Sequence, residues 1–294
     1  MNNEEKKPCE PSQCETCGEA SCASRHTGPQ HAMPGQDDAK LKARLGRIRR
    51  KLIVMSGKGG VGKSTVAVNL AVSAMLSGQR VGLLDVDLHG PSVPTMLGLE
   101  GQRLISGDEG ILPIEIGGLK VLSVGFLLKS ADDPVIWRGP MKMGVIRQFI
   151  EDVDWGDLDL LVIDAPPGTG DEPLTVFQLI PELAGAVIVT TPQKVAAVDV
   201  RKSISFCKEL NVPVLGVVEN MSGFACPKCG EVTPILRAGG GRVIAEEMAV
   251  PFLGAIPIDP LIAESGDCGK AFVETAARSP ASGVFREIVQ TLSA

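Results

Sequence analysis

Residues 52–65 read Leu-Ile-Val-Met-Ser-Gly-Lys-Gly-Gly-Val-Gly-Lys-Ser-Thr. Four apolar residues and a serine predict a buried strand over 52–56, the glycines predict a tight turn, and the pattern after Lys63 predicts a helix over 63–77. Strand, glycine turn and helix make one unit of an α/β architecture, and the same alternation continues downstream. Short Val/Ile/Leu runs predict strands at 80–85, 119–124, 158–164, 186–190, 212–219 and 251–255. Helical patterns fall at 141–153, 195–210, 241–248 and 282–292. Strands that are apolar along their whole length are buried on both faces. The reading is therefore an α/β fold with a mostly parallel sheet covered by helices on both faces. In such folds ligands bind beyond the carboxyl ends of the strands.

Upstream of that first strand the pattern changes twice. Residues 1–39 are rich in Pro, Gly, Ser, Gln and acidic residues, hold four of the eight cysteines and show no apolar periodicity. They read as a flexible, cysteine-rich tail with no core of its own. Residues 40–51 carry Lys40, Lys42, Arg44, Arg47, Arg49, Arg50 and Lys51, with Leu41, Leu45 and Ile48 at helical spacing, and read as a basic lead-in helix. Residues 52–294 then form the main domain. Hydrophobic residues make up 44% of the 294 and charged residues 22%, an ordinary globular balance. The charged N-terminus leads into no apolar stretch, and no run of about 18 apolar residues occurs, so a cytoplasmic protein without a membrane span is expected. A net charge of −6, with 3% aromatics and no tyrosine, argues against nucleic acid as a partner. In a reducing compartment clustered cysteines are metal ligands or redox groups before they are disulfides.

Gly57-Lys58-Gly59-Gly60-Val61-Gly62-Lys63-Ser64-Thr65 fits G-x-x-x-x-G-K-[ST] between a predicted strand and a predicted helix, the context that a phosphate-binding P-loop requires. The glycines let backbone N–H groups turn inward around phosphate oxygens at the positive end of the following helix. Lys63 is placed to reach the β- and γ-phosphates, and the Ser64 hydroxyl to ligate Mg²⁺. Two strand ends supply carboxylates: Asp85 and Asp87 in Leu-Leu-Asp-Val-Asp, and Asp164 after Leu-Leu-Val-Ile. Asp164 is the Walker B carboxylate that positions Mg²⁺ through its water shell, and Asp87 is the candidate for orienting the attacking water. Gly168, after two prolines, offers a backbone N–H to a γ-phosphate. Lys58, a second lysine in the loop, adds positive charge where negative charge develops during transfer. The catalytic candidates are Lys58, Lys63 and Asp87.

Cys226 and Cys229 form a CxxC followed by glycine, just beyond the predicted strand that ends near Asn220. A Cys₄ site needs a second such pair, and none lies close in sequence; Cys207 and Cys268 are isolated. The same loop of a second subunit would bring the count to four thiolates, enough for a [4Fe–4S] cluster or a zinc ion. Cys9, Cys14, Cys17 and Cys22 place four more thiolates within the tail and can close a metal site inside one chain, iron–sulfur or zinc.

These residues carry a resemblance. The loop resembles the deviant Walker A of the group containing MinD, ParA, the arsenical pump ATPase and the nitrogenase iron protein. That resemblance implies a homodimer sandwiching ATP, with Lys58 reaching the partner's nucleotide. SGKGGVGKST, LLDVDLHGPSVP, VIDAPPGTGDE, VVENMSGFACPKCGE and IPIDP, in that order across residues 50–290, are similar to the Mrp/ApbC family of iron–sulfur carrier ATPases. The family implies ATP, Mg²⁺ and a labile [4Fe–4S] cluster bridged by Cys226 and Cys229 of two subunits. It also implies transfer of that cluster to apo iron–sulfur client proteins, by a homodimer or a pair with a related second subunit. Asn220 occupies the position of the family's adenine-contacting asparagine. The tail cysteines resemble the extension of the cytosolic scaffold branch, although only four residues follow Cys9 here where that branch has a long gap. The alternative is a MinD/ParA-like positioning ATPase with structural zinc on its cysteines.

Overall fold

Helix α1 (Asp37–Gly46) precedes strand β1 (Ile48–Met55), helix α2 (Lys63–Leu76), strand β2 (Val81–Asp85) and the short α3 (Val93–Met96) in the computed structural model. Four strands follow, β3 (Ile105–Ser106), β4 (Ile111–Leu112), β5 (Ile114–Ile116) and β6 (Leu119–Ser123), then α4 (Gly139–Glu151), β7 (Leu158–Asp164), α5 (Asp171–Leu179) and β8 (Gly185–Thr190). The last part runs α6 (Lys194–Glu209), β9 (Val214–Ala225), β10 (Val232–Thr233), α7 (Gly240–Glu247), β11 (Phe252–Ile258), α8 (Pro260–Asp267), α9 (Phe272–Thr275) and α10 (Pro280–Ser293). The structure describes residues 37–88, 90–107, 110–127, 139–180, 182–226, 228–229 and 231–293, so Cys9, Cys14, Cys17 and Cys22 lie outside it.

Among the described residues nine strands form one sheet in the order β10-β9-β8-β1-β7-β2-β6-β5, with β11 also on β9. The pairings β1–β7, β1–β8, β2–β7, β2–β6, β8–β9 and β9–β11 are parallel; β5 and β10 are the antiparallel additions. The residues of β1 explain its central place. Ile53 and Met55 point into one core with Ile163, Ile188, Phe149 of α4 and Ile204 of α6, while Leu52 and Val54 point into the other with Val162, Val187, Leu70 of α2 and Phe285 of α10. Apolar residues on both faces demand cover on both faces, and each fully buried Val, Leu or Ile contributes roughly 1.5–3 kcal/mol relative to exposure.

The basic stretch 40–51, expected to be one helix, is divided. Helix α1 ends at Gly46, and Ile48 already begins β1. Glycine is a weak helix former, and Ile48 pairs with Leu158 of β7. The cations on the strand end stay near water or find carbonyls: Lys51 Nζ donates to the Leu45 carbonyl at 3.3 Å, and the Arg50 guanidinium donates to the Leu292 carbonyl.

Candidate nucleotide site and cysteine hairpin

Two close approaches set the shape of the turn after β1. A Cβ on Gly57 would lie 2.4 Å from the Asp199 carbonyl oxygen of α6. Gly62 has a φ of 80°, and a Cβ there would lie 2.2 Å from Asn220 Nδ2. Both positions therefore require glycine. Asn220 Nδ2 donates to the Val61 carbonyl at 2.9 Å and ties the loop to β9. Helix α2 begins at Lys63 with no side-chain cap, so its first N–H groups face the cleft, the arrangement that suits a phosphate.

Lys63 is 6% exposed, and its Nζ lies 2.6 Å from Asp164 Oδ1 and 3.4 Å from Asp87 Oδ2. Burial pulls its pKa down, but Asp164, Asp87 and Asp85 together hold it above the ordinary lysine value. Asp85 and Asp164 end neighbouring strands in direct register, both fully buried. Burial and the Asp164 charge push the Asp85 carboxyl up to about 8, against hydrogen bonds from Ser123 Oγ at 2.8 Å and the Asp87 N–H at 3.1 Å. Asp164 is also raised, by burial first, with Lys63 opposing. Its second oxygen, Oδ2, is buried without a hydrogen-bond partner. Gly168, expected to offer its N–H to a γ-phosphate, instead donates to the Ser56 carbonyl at 2.7 Å. That hydrogen bond fastens its loop to the end of β1, so the N–H is engaged in this arrangement.

The space matches these groups. A cleft of about 250 Å³ is lined by Gly59, Gly60, Lys63, Ser64 and Asp87. It shares Gly62, Thr65, Ser92 and Met96 with a cavity of about 490 Å³ whose far wall is Asn220, Pro257, Ile262 and Phe272. A polar cleft opening into a larger, more apolar chamber has the outline of a nucleotide, phosphates in one and base in the other. Lys58 is half-buried, next to the cleft in sequence, and its carbonyl accepts from Ser56 Oγ at 2.9 Å.

The cysteines divide by environment. Cys207 on α6 is fully buried with its thiol against Met55 Sδ at 3.4 Å, and burial pushes it up to about 12. Cys268 caps the end of α8 and is exposed. Cys226 follows β9 directly, and its N–H donates to the Glu231 carbonyl at 2.8 Å to close the hairpin to β10. The Cys229 N–H, the Lys228 N–H and the Cys229 thiol all donate to the Cys226 sulfur and hold its pKa below the ordinary thiol value. Cys229 is exposed beside it. Among the described residues no set of three or more His, Cys, Asp or Glu side chains is gathered to hold a metal ion, so this hairpin presents two thiols.

A family model described as ParA, NUBPL iron-transfer P-loop NTPase, matches residues 47–293. The chain belongs to that family. An iron-sulfur cluster carrier protein from Methanocaldococcus jannaschii is 49% identical over 274 residues, covering 92% of this chain and 94% of its own. A cytosolic Fe-S cluster assembly factor, the Nubp2 homolog of Anopheles gambiae, is 50% identical over 254 residues, 85% of this chain and 98% of that one. The solved nucleotide-binding protein from Archaeoglobus fulgidus, in complex with ADP, superposes with a TM-score of 0.72 at 43% identity over 80% of this chain and 92% of that one. The cell division ATPase MinD of Pyrococcus furiosus, 23% identical with a TM-score of 0.61 over 84% of this chain and 99% of its own, shares the fold.

In this P-loop NTPase three further residues hold the site together. Ser123 at the end of β6 donates to Asp85. Glu219 on β9 is fully buried and its carboxylate accepts from Ser222 Oγ and from the N–H groups of Gly239 and Gly241 at the start of α7. Asp259 caps α8 through the Leu261 N–H at 3.0 Å and also accepts from Ser279 Oγ. Glu219 carried a readable signal, an acid closing the apolar run Val217-Val218, the same pattern that marks Asp85 and Asp164. Asp259 before Pro260 is a readable helix cap, whereas its bond to Ser279 and the Ser123 bond to Asp85 carried no signal, because those partners lie 20 and 38 residues away.

Proposed function

We propose that this NTPase is an ATP-dependent iron–sulfur carrier or scaffold. It holds a [4Fe–4S] cluster as cargo on Cys226 and Cys229 of two subunits, hydrolyses ATP to ADP and phosphate, and passes the cluster to apo client proteins. The observation that carries this reading is the hairpin, where two adjacent thiols, one stabilised as thiolate, stand at the end of the strand that also contacts the P-loop.

The loop's N–H groups and Lys63 hold the phosphates, and Asn220 with the larger cavity takes the adenine. Ser64, Asp164 and Asp85 would hold Mg²⁺. The orphaned Asp164 Oδ2 and the Ser64 hydroxyl, whose oxygen lies 3.3 Å from Lys63 Nζ, fit a hydrated cation. When bound, Mg²⁺ supplies charge neutralisation on the phosphates. Asp87, which lines the cleft, orients the attacking water, and Lys58 of the partner subunit adds charge against the developing negative oxygens. Val195 and Val198, 78% and 54% exposed on α6 beside the Gly57 contact, support a partner surface next to the cleft. The homodimer is cytoplasmic, and the tail cysteines Cys9, Cys14, Cys17 and Cys22 form a second site within each chain.

Iron and acid-labile sulfide in the full chain, purified anaerobically, test the reading when set against Cys226→Ser/Cys229→Ser. The wild type is expected to hold about two more iron and two more sulfide per chain, half a [4Fe–4S] cluster. A difference of about four per chain would place the whole cluster within one subunit. Zinc without sulfide would make the hairpin a structural metal site.

A further inference from the structure

Strand β9 joins the two halves of the molecule's chemistry on one piece of backbone. Asn220 is hydrogen-bonded to the P-loop, and Cys226 stands six residues further along. Between them the strand is irregular. Asn220 is in register with Ile256 of β11 and Phe224 with Ile258, so Met221, Ser222 and Gly223 stand opposite the single residue Pro257. Proline has no N–H to donate to a ladder, and the extra length of β9 is extruded as a bulge. Inside it Met221 has a φ of 58°, a left-handed conformation that a side-chain-bearing residue adopts only when its surroundings impose it, and Gly223 has a φ of 83°.

The bulge is clamped at its middle residue, touches the P-loop at one end and packs on β10 at the other. Ser222 Oγ donates to the buried Glu219 carboxylate, which is itself fixed by the N–H groups of α7. Met221 and Asn220 line the larger cavity, and Met221 Cε lies 3.9 Å from where a Gly62 Cβ would stand. Gly223 packs so closely on β10 that a Cβ would lie 2.9 Å from Val232 Cγ1. A change at the P-loop therefore meets Asn220 and the adjoining Met221, and the residues that follow them lead into the hairpin carrying both cysteines.

We infer that the Met221–Gly223 bulge relays nucleotide occupancy at the P-loop to the Cys226–Cys229 turn, with Met221 as the positioning residue. The inference rests on the nucleotide-and-cluster reading above and names how that site is regulated. A second copy of the chain is not needed for the relay, since every residue in it belongs to one subunit.

Peptide-resolved alkylation tests it in the full, metal-free, reduced chain. Trypsin cuts after Lys228, so Cys226 and Cys229 report separately, and the exposed Cys268 serves as the reference thiol. The iodoacetamide rate at Cys226 is compared without nucleotide, with saturating Mg-ADP, and with a saturating non-hydrolysable Mg-ATP analogue. Nucleotide is expected to change the Cys226 rate by about threefold or more while Cys268 is steady. Met221→Gly, which takes the left-handed conformation without constraint, should erase that dependence, and Met221→Leu should keep it. A wild-type Cys226 indifferent to nucleotide, or a Met221→Gly chain with the full response, overturns the relay. Iron and sulfide analysis of the same wild-type preparation separates the two ideas: an unresponsive Cys226 in a chain that loads its cluster sinks the relay alone, and a responsive Cys226 in a chain without sulfide sinks the cargo alone.

Discussion

At the scale of single residues, the site is a balance of one buried cation and three carboxylates. Lys63 neutralises Asp164 directly and Asp87 more distantly, which leaves Asp85 to keep its proton up to about pH 8. The sign of the consequence follows. Between the ordinary carboxylate value of 3.8 and about 8 the folded, nucleotide-free protein holds a proton that the unfolded chain has released. Its stability therefore falls as pH rises through that window. Asp85→Asn removes the titration, so the variant's Tm should change less between pH 6 and pH 8 and exceed the wild type's at the upper end. Thermal denaturation without nucleotide checks this, and an unchanged slope would mean that Asp85 is not the proton carrier.

At the scale of elements, α10 shows how a distant helix serves the nucleotide chamber. Phe285 is fully buried and meets Phe272 edge to face, ring centroids 6.5 Å apart, and Phe272 forms part of the chamber wall. Phe285→Ala should cost about 3–5 kcal/mol of stability and weaken ADP binding several-fold. Denaturant unfolding and calorimetric ADP titration measure the two effects; lost stability with unchanged ADP affinity would show that Phe272 holds its place unaided. The elements also show what the residue pattern could reveal. Strand β7 was legible because Leu160 to Ile163 is an apolar run closed by Asp164. The start of β1 was hidden, since Arg49, Arg50 and Lys51 read as a helix face until the pairing with β7 is seen. The far half of β9 was hidden too. Asn220, Ser222 and Gly223 have the composition of a turn, and only β11 and β10 make that stretch a strand. The P-loop, its carboxylates and the CxxC were legible because their chemistry is local in sequence. The longer bonds of the clamps on them, Ser123 to Asp85, Glu219 to the start of α7 and Asp259 to Ser279, depend on packing that brings distant residues together.

At the scale of the whole molecule, the P-loop and the Cys226–Cys229 hairpin follow the carboxyl ends of two different strands, β1 and β9, of one sheet. The dimer reading makes a single strong demand there, that Lys58 act on the partner's nucleotide. Lys58→Ala should leave ADP binding within about threefold and lower ATP turnover by about 10²-fold or more, as removal of a charge acting mainly in the transition state does. Lys63→Ala, by contrast, should weaken binding itself. Steady-state phosphate release beside ADP titration separates the two, and undiminished turnover in Lys58→Ala would remove the case for a shared site. Geometry adds a last consequence. Two strand spacings separate β1 from β9, roughly 10 Å. Beyond Glu219, its last pairing with β8, β9 overhangs by residues 220–225, a reach on the order of 15–20 Å. Polyphosphates chelate iron, so a carrier that kept its metal beside its fuel would lose one to the other. In the carrier proposed above, the overhang of β9 would hold the two sulfurs that far from the phosphates.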